Sequence, residues 1–209
     1  MKRIRAALFD MDGTIYASPV DWSEVRRRIG LERDGRPIYE QILSLPPRRR
    51  EEGIRILEKA ERIGSEEGWL MEGASELIEA FHRQGVRCAL ITNNSRRSVD
   101  ALLSRYPLRF ELVLARDDGA MKPDPGIFRT ACERLGVRPE EAVVLGDTHY
   151  DAIAAHNSGI RDVILVAPGE WVFEHIPQGA SFIVVADLIE AKERVEELLS
   201  RPDQVQSVP

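Results

Sequence analysis

Two carboxylates two residues apart, Asp10 and Asp12, close a short apolar run from Ala6 to Phe9, and Gly13 and Thr14 follow. Three later stretches offer matching chemistry: Thr92-Asn93-Asn94-Ser95, Lys122-Pro123, and Gly146-Asp147-Thr148-His149-Tyr150-Asp151. Acids, a hydroxyl and an ammonium in this combination suit phosphoryl transfer to an enzyme carboxylate. Clustered carboxylates repel one another unless a hard cation neutralises them, and Mg²⁺ prefers oxygen ligands. The same positive charge lets an anionic nucleophile approach an anionic phosphate. A carboxylate nucleophile gives an acyl phosphate, labile enough to hydrolyse in a second step. A second acid is needed to protonate the leaving oxygen and then to deprotonate water. Hydroxyl and ammonium hold the remaining phosphoryl oxygens, the ammonium as a compact point charge. Of 29 basic residues only Lys2, Lys59, Lys122 and Lys192 are lysines, which makes Lys122 in its loop more telling.

Elements must bring these stretches together. Ala6 to Phe9 reads as a buried strand ending at an acidic turn, and the ends of strands are where open α/β sheets keep their sites. Asp and Gly are also ordinary turn residues, so the turn by itself carries little. From residue 73 the pattern alternates. A helix over 74–83 precedes a strand over 86–92, and Ser95 caps a helix running to about Tyr106. Strands over 110–115, 142–145, 163–166 and 182–185 follow. Between and after them the sequence predicts helices from Pro125 to Leu135, from about Asp151 to Gly159, and from Leu188 to Leu199. Such alternation predicts an α/β fold, a doubly wound, Rossmann-like parallel sheet covered on both faces.

Residues 16–72 read differently. They hold no convincing strand, and Trp22, Val25 and Ile29, then Ile38, Ile42 and Leu45, then Ile54, Leu57 and Ile63 fall at helical intervals. The chain is thus predicted to comprise an α/β core from residues 1–15 and 73–200, a small helical cap from 16–72, and a flexible polar tail over 201–209. An insertion directly after the first acidic turn sits over the sheet's carboxyl edge, where a lid would be.

Composition narrows the partners. A net charge of −6 argues against nucleic acid, whose phosphate backbone calls for basic patches, but leaves room for a small anionic substrate. No run approaches the about 20 apolar residues that cross a bilayer. Cys88 and Cys132 lie in apparent core segments without metal spacing and read as reduced thiols of a cytoplasmic protein.

In order and kind, Asp10-Met11-Asp12-Gly13-Thr14, Leu90-Ile91-Thr92-Asn93, Lys122-Pro123 and Gly146-Asp147-Thr148-His149-Tyr150-Asp151 resemble the motifs of the haloacid-dehalogenase-like hydrolase superfamily. The likeness is to its phosphatases with a small helical cap, the phosphoglycolate-phosphatase-like members in particular. It implies a Mg²⁺-dependent phosphatase of a small phosphorylated metabolite, acting as a monomer or dimer through an aspartyl-phosphate. By this resemblance Asp10 is the nucleophile and Asp12 the general acid/base, with Thr14 helping to position it. Mg²⁺ is held by the Asp10 carboxylate, the Asp12 carbonyl, Asp147, and Asp151 directly or through water. Thr92, the Asn93 amide and Lys122 bind the phosphoryl group. A phosphomutase shares all four motifs, and a phosphate-binding protein without catalysis is the alternative from another class. A dehalogenase has no use for an acid at Asp12, because halide leaves without a proton.

Other residues receive plainer readings. Asp151 could be only a first-turn acid favoured by the helix dipole. His149 reads as a solvated loop residue, and Asn94 and Arg96 as facing substrate or starting an exposed helix. Asp117 and Asp118 read as loop acids. Arg26-Arg27-Arg28 and Arg48-Arg49-Arg50 read as solvated helix faces, and Trp22 and Tyr39 as packing residues.

Overall fold

A computed structural model describes residues 4–200. Its elements run β1 (Ala6–Phe9), β2 (Tyr16–Ala17), α1 (Trp22–Ile29), α2 (Ile38–Leu43), α3 (Pro47–Glu67), β3 (Trp69–Leu70), α4 (Ala74–Arg83) and β4 (Arg87–Ile91). They continue as α5 (Arg96–Arg105), β5 (Leu112–Leu114), α6 (Gly126–Leu135), β6 (Ala142–Gly146), α7 (His149–Ser158), β7 (Asp162–Val166), β8 (Ile183–Val185) and α8 (Leu188–Ser200). The predicted tail, 201–209, lies outside the described residues.

Six strands form one parallel sheet in the order β5-β4-β1-β6-β7-β8. β1 pairs with β4 on one side and β6 on the other, so the strand order reverses around it. That reversal opens a crevice at the carboxyl end of β1, and the chain puts Asp10 and Asp12 there. Period-two alternation divides the four buried residues of β1 between two cores. Ala7 and Phe9 face α4, α5 and α8 with Leu77, Phe81, Val99 and Leu188. Ala6 and Leu8 face α6 and α7 with Phe128, Ala131, Leu135 and Ala155. The ring of Phe9 meets that of Phe81 edge-on at 5.7 Å, an arrangement aromatic quadrupoles favour.

The helices between β2 and β3 have a core of their own: Val25, Ile29, Ile42, Leu57 and Ala60. Asp21 caps α1, its carboxylate accepting from the Ser23 and Glu24 amides, and Gly30 ends the helix with φ 77°. Pro47 opens α3 at a position where a missing N–H is harmless. A Cβ on Gly53 would stand 3.1 Å from Ile29 and 3.2 Å from Ile42, so this glycine lets α3 approach its neighbours. Contrary to the expectation of no strand here, Tyr16–Ala17 and Trp69–Leu70 pair antiparallel at the two crossings between insertion and sheet. Two residues are too few for an alternation to register in sequence.

Among the described residues no helix is long and apolar enough to cross a membrane.

Candidate active site

The acidic turn after β1 is shaped by its glycine. Gly13 has φ 79°, and a Cβ there would lie 2.1 Å from Asp147 Oδ2. Only glycine allows the two acidic stretches to approach so closely. At the end of β6, Gly146 has the same role, since a Cβ would stand 2.2 Å from Asp151 Cγ. The carboxylate oxygens of Asp10, Asp147 and Asp151 come within 4.8 Å of one another.

Lys122 stands among them with its side chain 2% exposed. Its Nζ lies 2.6 Å from Asp10 Oδ1 and 2.6 Å from Asp151 Oδ1. The second oxygen of Asp151 accepts from the Thr148 amide at 3.2 Å and its hydroxyl at 2.9 Å. Asp151 is therefore both the third residue of α7, tied back to its cap, and a member of the acidic cluster. Asp147 Oδ1 is buried without a hydrogen-bond partner.

These environments shift the acids upward. Burial raises Asp10 to about 7, with Lys122 opposing and Asp151 adding to the rise. Burial raises Asp12 to about 6; the bond from Asn94 pulls it back and the charge of Glu61 pushes it on. Asp147 is raised well above the usual carboxylate range by burial and then by Asp10 and Asp151. Burial lowers Lys122, but Asp10 and Asp151 outweigh it and hold the ammonium above its ordinary range. Buried acids that repel one another around an oxygen lacking a donor form a donor set that suits a hard divalent cation.

The Thr92 stretch is placed at the same edge, but its bonds differ from those expected. Asn94 is buried, not an exposed helix start. Its Nδ2 donates to Asp12 Oδ2 at 2.6 Å, and its own oxygen accepts from the Ser95 amide at 3.1 Å. Thr92 Oγ1 accepts from the Asn94 amide at 3.1 Å. The Asn93 side chain clamps the backbone of Lys122, donating to its carbonyl at 2.7 Å and accepting from its amide at 2.9 Å. Ser95 caps α5, as the sequence predicts. The Thr14 hydroxyl has no partner and makes no bond to Asp12.

The insertion closes over this edge, leaving a cavity of about 510 Å³ with Asp10, Asp12, Thr92, Lys122 and Asp147 in its floor. Trp22, Arg26, Arg33, Tyr39 and Glu61 contribute its upper wall. Arg26 is thus no solvated face: its Nη2 donates to Tyr150 Oη at 3.1 Å and to the Arg36 carbonyl at 2.8 Å. Trp22 and Tyr39 line the cavity besides packing on the insertion's core. His149 is no solvated loop residue either; its buried Nε2 donates to the Gly35 carbonyl at 2.8 Å. Asp117 and Asp118 both bind Arg96, Asp117 at its amide and Asp118 at its guanidinium. The residues that sequence reasoning missed make contacts across long separations. Helical phase carried the one available signal, since Glu61 follows Leu57 by four and precedes Gly64 by three on α3's buried stripe.

The sequence pattern of the haloacid dehalogenase-like hydrolases matches residues 4–159. The chain belongs to that family. Similar proteins include a haloacid dehalogenase-like hydrolase domain-containing protein of Arabidopsis thaliana, 28% identical over 162 residues, which cover 73% of this chain and 66% of that protein. The pyrophosphatase PpaX of Halalkalibacterium halodurans is 27% identical over 181 residues, covering 78% of this chain and 83% of its own. A variant of CbbY from Rhodobacter sphaeroides, solved with xylulose-(1,5)bisphosphate, has a TM-score of 0.68 at 28% identity and covers 90% of this chain and 96% of that one. Family and relatives make this chain a hydrolase of the phosphatase type.

Proposed function

We propose that the protein is a Mg²⁺-dependent phosphomonoester hydrolase of a small phosphorylated metabolite, working through an aspartyl-phosphate on Asp10. The observation that carries this reading is Lys122, whose ammonium lies 2.6 Å from Asp10 and 2.6 Å from Asp151 at the floor of the cavity. A lysine so held fixes one oxygen of Asp10 and leaves the other for attack. The Asp10 carboxylate attacks phosphorus, the bond from phosphorus to the leaving oxygen breaks, and that oxygen takes the proton of Asp12. Asp12, now a carboxylate, takes a proton from water; the water oxygen attacks phosphorus, and Asp10 and inorganic phosphate part. With its carboxyl raised to about 6, Asp12 is suited to hold and release a proton near neutrality. Asn94 aims it, and Thr92, the Asn93 amide and Lys122 take the phosphoryl oxygens.

Asp10, the Asp12 carbonyl and Asp147 would hold the metal, with Asp151 contributing directly or through a water. When bound, the ion neutralises the clustered acids and the phosphate they face. The insertion acts as a cap that excludes water while the phosphoryl group moves.

The test is phosphate release from a panel of small phosphate esters, with Mg²⁺ and with chelator. Metal-dependent release supports the reading. Folded protein that releases no phosphate but rearranges a sugar phosphate is a mutase, and folded protein that does neither is not an enzyme of this kind.

A further inference from the structure

Among the described residues a single ion pair joins the insertion to the core, and it lies in the cavity wall. Glu61 sits on the buried stripe of α3 with Leu57, Ala60 and Gly64, its side chain 4% exposed. Arg116 follows β5 on the core side, its side chain 8% exposed. The guanidinium spends both terminal nitrogens on Glu61: Nη1 meets Oε1, and Nη2 donates to Oε2 at 3.2 Å. Nη1 also donates to the Asn93 carbonyl at 3.3 Å, and the Tyr39 ring covers the guanidinium carbon at 4.4 Å.

A buried pair of this kind adds little to stability that apolar residues of the same volume would not supply. Its place in the wall gives it another use. Arg116 has its charge countered by Glu61, so at this point of the wall, apart from Arg26 and Arg33 elsewhere in it, the guanidinium is not a free cation facing a substrate anion. A carboxylate has about four acceptor sites and Arg116 uses two, so Glu61 can still accept a hydrogen bond. Glu61 and Asp12 line the same cavity. Beside Asp12 the wall therefore offers acceptors, and negative charge there is unwelcome.

We propose that Glu61, pinned by Arg116, is the specificity-determining residue of this site: it accepts a hydroxyl from an uncharged leaving group and turns away leaving groups carrying a carboxylate or phosphate next to the ester oxygen. The inference rests on the phosphatase reading, because it takes Asp12 as the acid beside the leaving oxygen. It runs against what likeness to a pyrophosphatase alone would suggest, since the leaving group of pyrophosphate is itself an anion.

The test compares kcat/KM for glycerol 2-phosphate and 2-phosphoglycerate, which differ by one hydroxymethyl replaced by a carboxylate, with pyrophosphate as a third substrate and p-nitrophenyl phosphate as a control. Wild-type protein with Mg²⁺ is expected to favour glycerol 2-phosphate over both anionic partners by about tenfold or more. Glu61→Gln releases Arg116 from its counter-charge, and the preference should shrink by about tenfold or invert. The double variant Glu61→Leu, Arg116→Met leaves no unpaired buried charge, keeps the fold, and should also lose the preference. A wild type that hydrolyses 2-phosphoglycerate or pyrophosphate as well as glycerol 2-phosphate overturns the inference and leaves the phosphatase reading standing. So do variants that slow all substrates in equal proportion, which would make the pair a structural clasp. Absence of phosphate release from every substrate, the control included, removes the phosphatase reading and this inference with it.

Discussion

The carboxyl edge of the sheet and the wall formed by the insertion treat their charges in opposite ways. At the sheet edge Asp10, Asp147 and Asp151 crowd around one lysine, and two of the three are raised by burial and mutual repulsion. In the wall Glu61 is paired with Arg116, and Arg26 donates to the Arg36 carbonyl and the Tyr150 hydroxyl. The edge is left short of positive charge, which in the proposed function a cation supplies. In the wall the Glu61–Arg116 pair balances its own charges, and under the inference above it is what discriminates among leaving groups. Under the proposed function, chemistry belongs to the first region and choice to the second.

That division is broken most directly at Asp10. Asp10→Asn should lower turnover by about 10⁴-fold or more while the protein stays folded, as steady-state phosphate release and circular dichroism would show. Asp12→Ala should slow alkyl phosphates by about 10² to 10⁴ and p-nitrophenyl phosphate much less, because a good leaving group has little need of a proton. Equal slowing of both would remove Asp12 as the acid. Gly13→Ala forces a Cβ against Asp147 at a backbone angle that suits glycine; a loss of roughly tenfold or more in kcat is expected, with a lower melting temperature. In the wall, Trp22→Ala should move KM across an ester panel by about 3- to 10-fold and alter kcat less.

The smallest effect is on stability. Asp10 at about 7 and Asp12 at about 6 stand above the unfolded value of 3.8, so the folded protein binds more protons than the unfolded one between those limits. Their contribution to stability is full below 3.8 and is lost as pH rises through 6 to 7. Mg²⁺ should therefore raise the melting temperature more at pH 8 than at pH 5.5, and chelator should abolish the difference. An equal shift at both values would contradict the acidic cluster as the metal site.

Much of the fold could be read in the sequence, for a physical reason. Parallel strands covered on both faces are continuous apolar runs, and Ala6–Phe9, Arg87–Ile91 and Ala142–Gly146 fell within a residue or two of expectation. Helix ends were marked by Ser95 and Gly136, which cap as their chemistry suggests. Helix α7 starts two residues before the position the sequence predicts, at His149 instead of Asp151, because Asp151 acts from inside the first turn through its bonds to Thr148. The acids and Lys122 were legible because each follows a strand or lies in the loop between elements. Asn94, His149, Glu61 and Arg116 were not, since their meaning lies in partners far along the chain: Asn94 to Asp12, His149 to Gly35, Glu61 to Arg116. Pattern reveals which face a residue is on; it does not reveal which distant group the fold will bring against it.

The central claim is that phosphate passes through Asp10. The most direct measurement is rapid quenching of the protein during turnover of a phosphate ester, followed by borohydride, which reduces an aspartyl-phosphate to homoserine. Peptide mass spectrometry is predicted to find homoserine at position 10, dependent on both ester and Mg²⁺. Homoserine at another acid, or none at any position while phosphate is released at full rate, would contradict it.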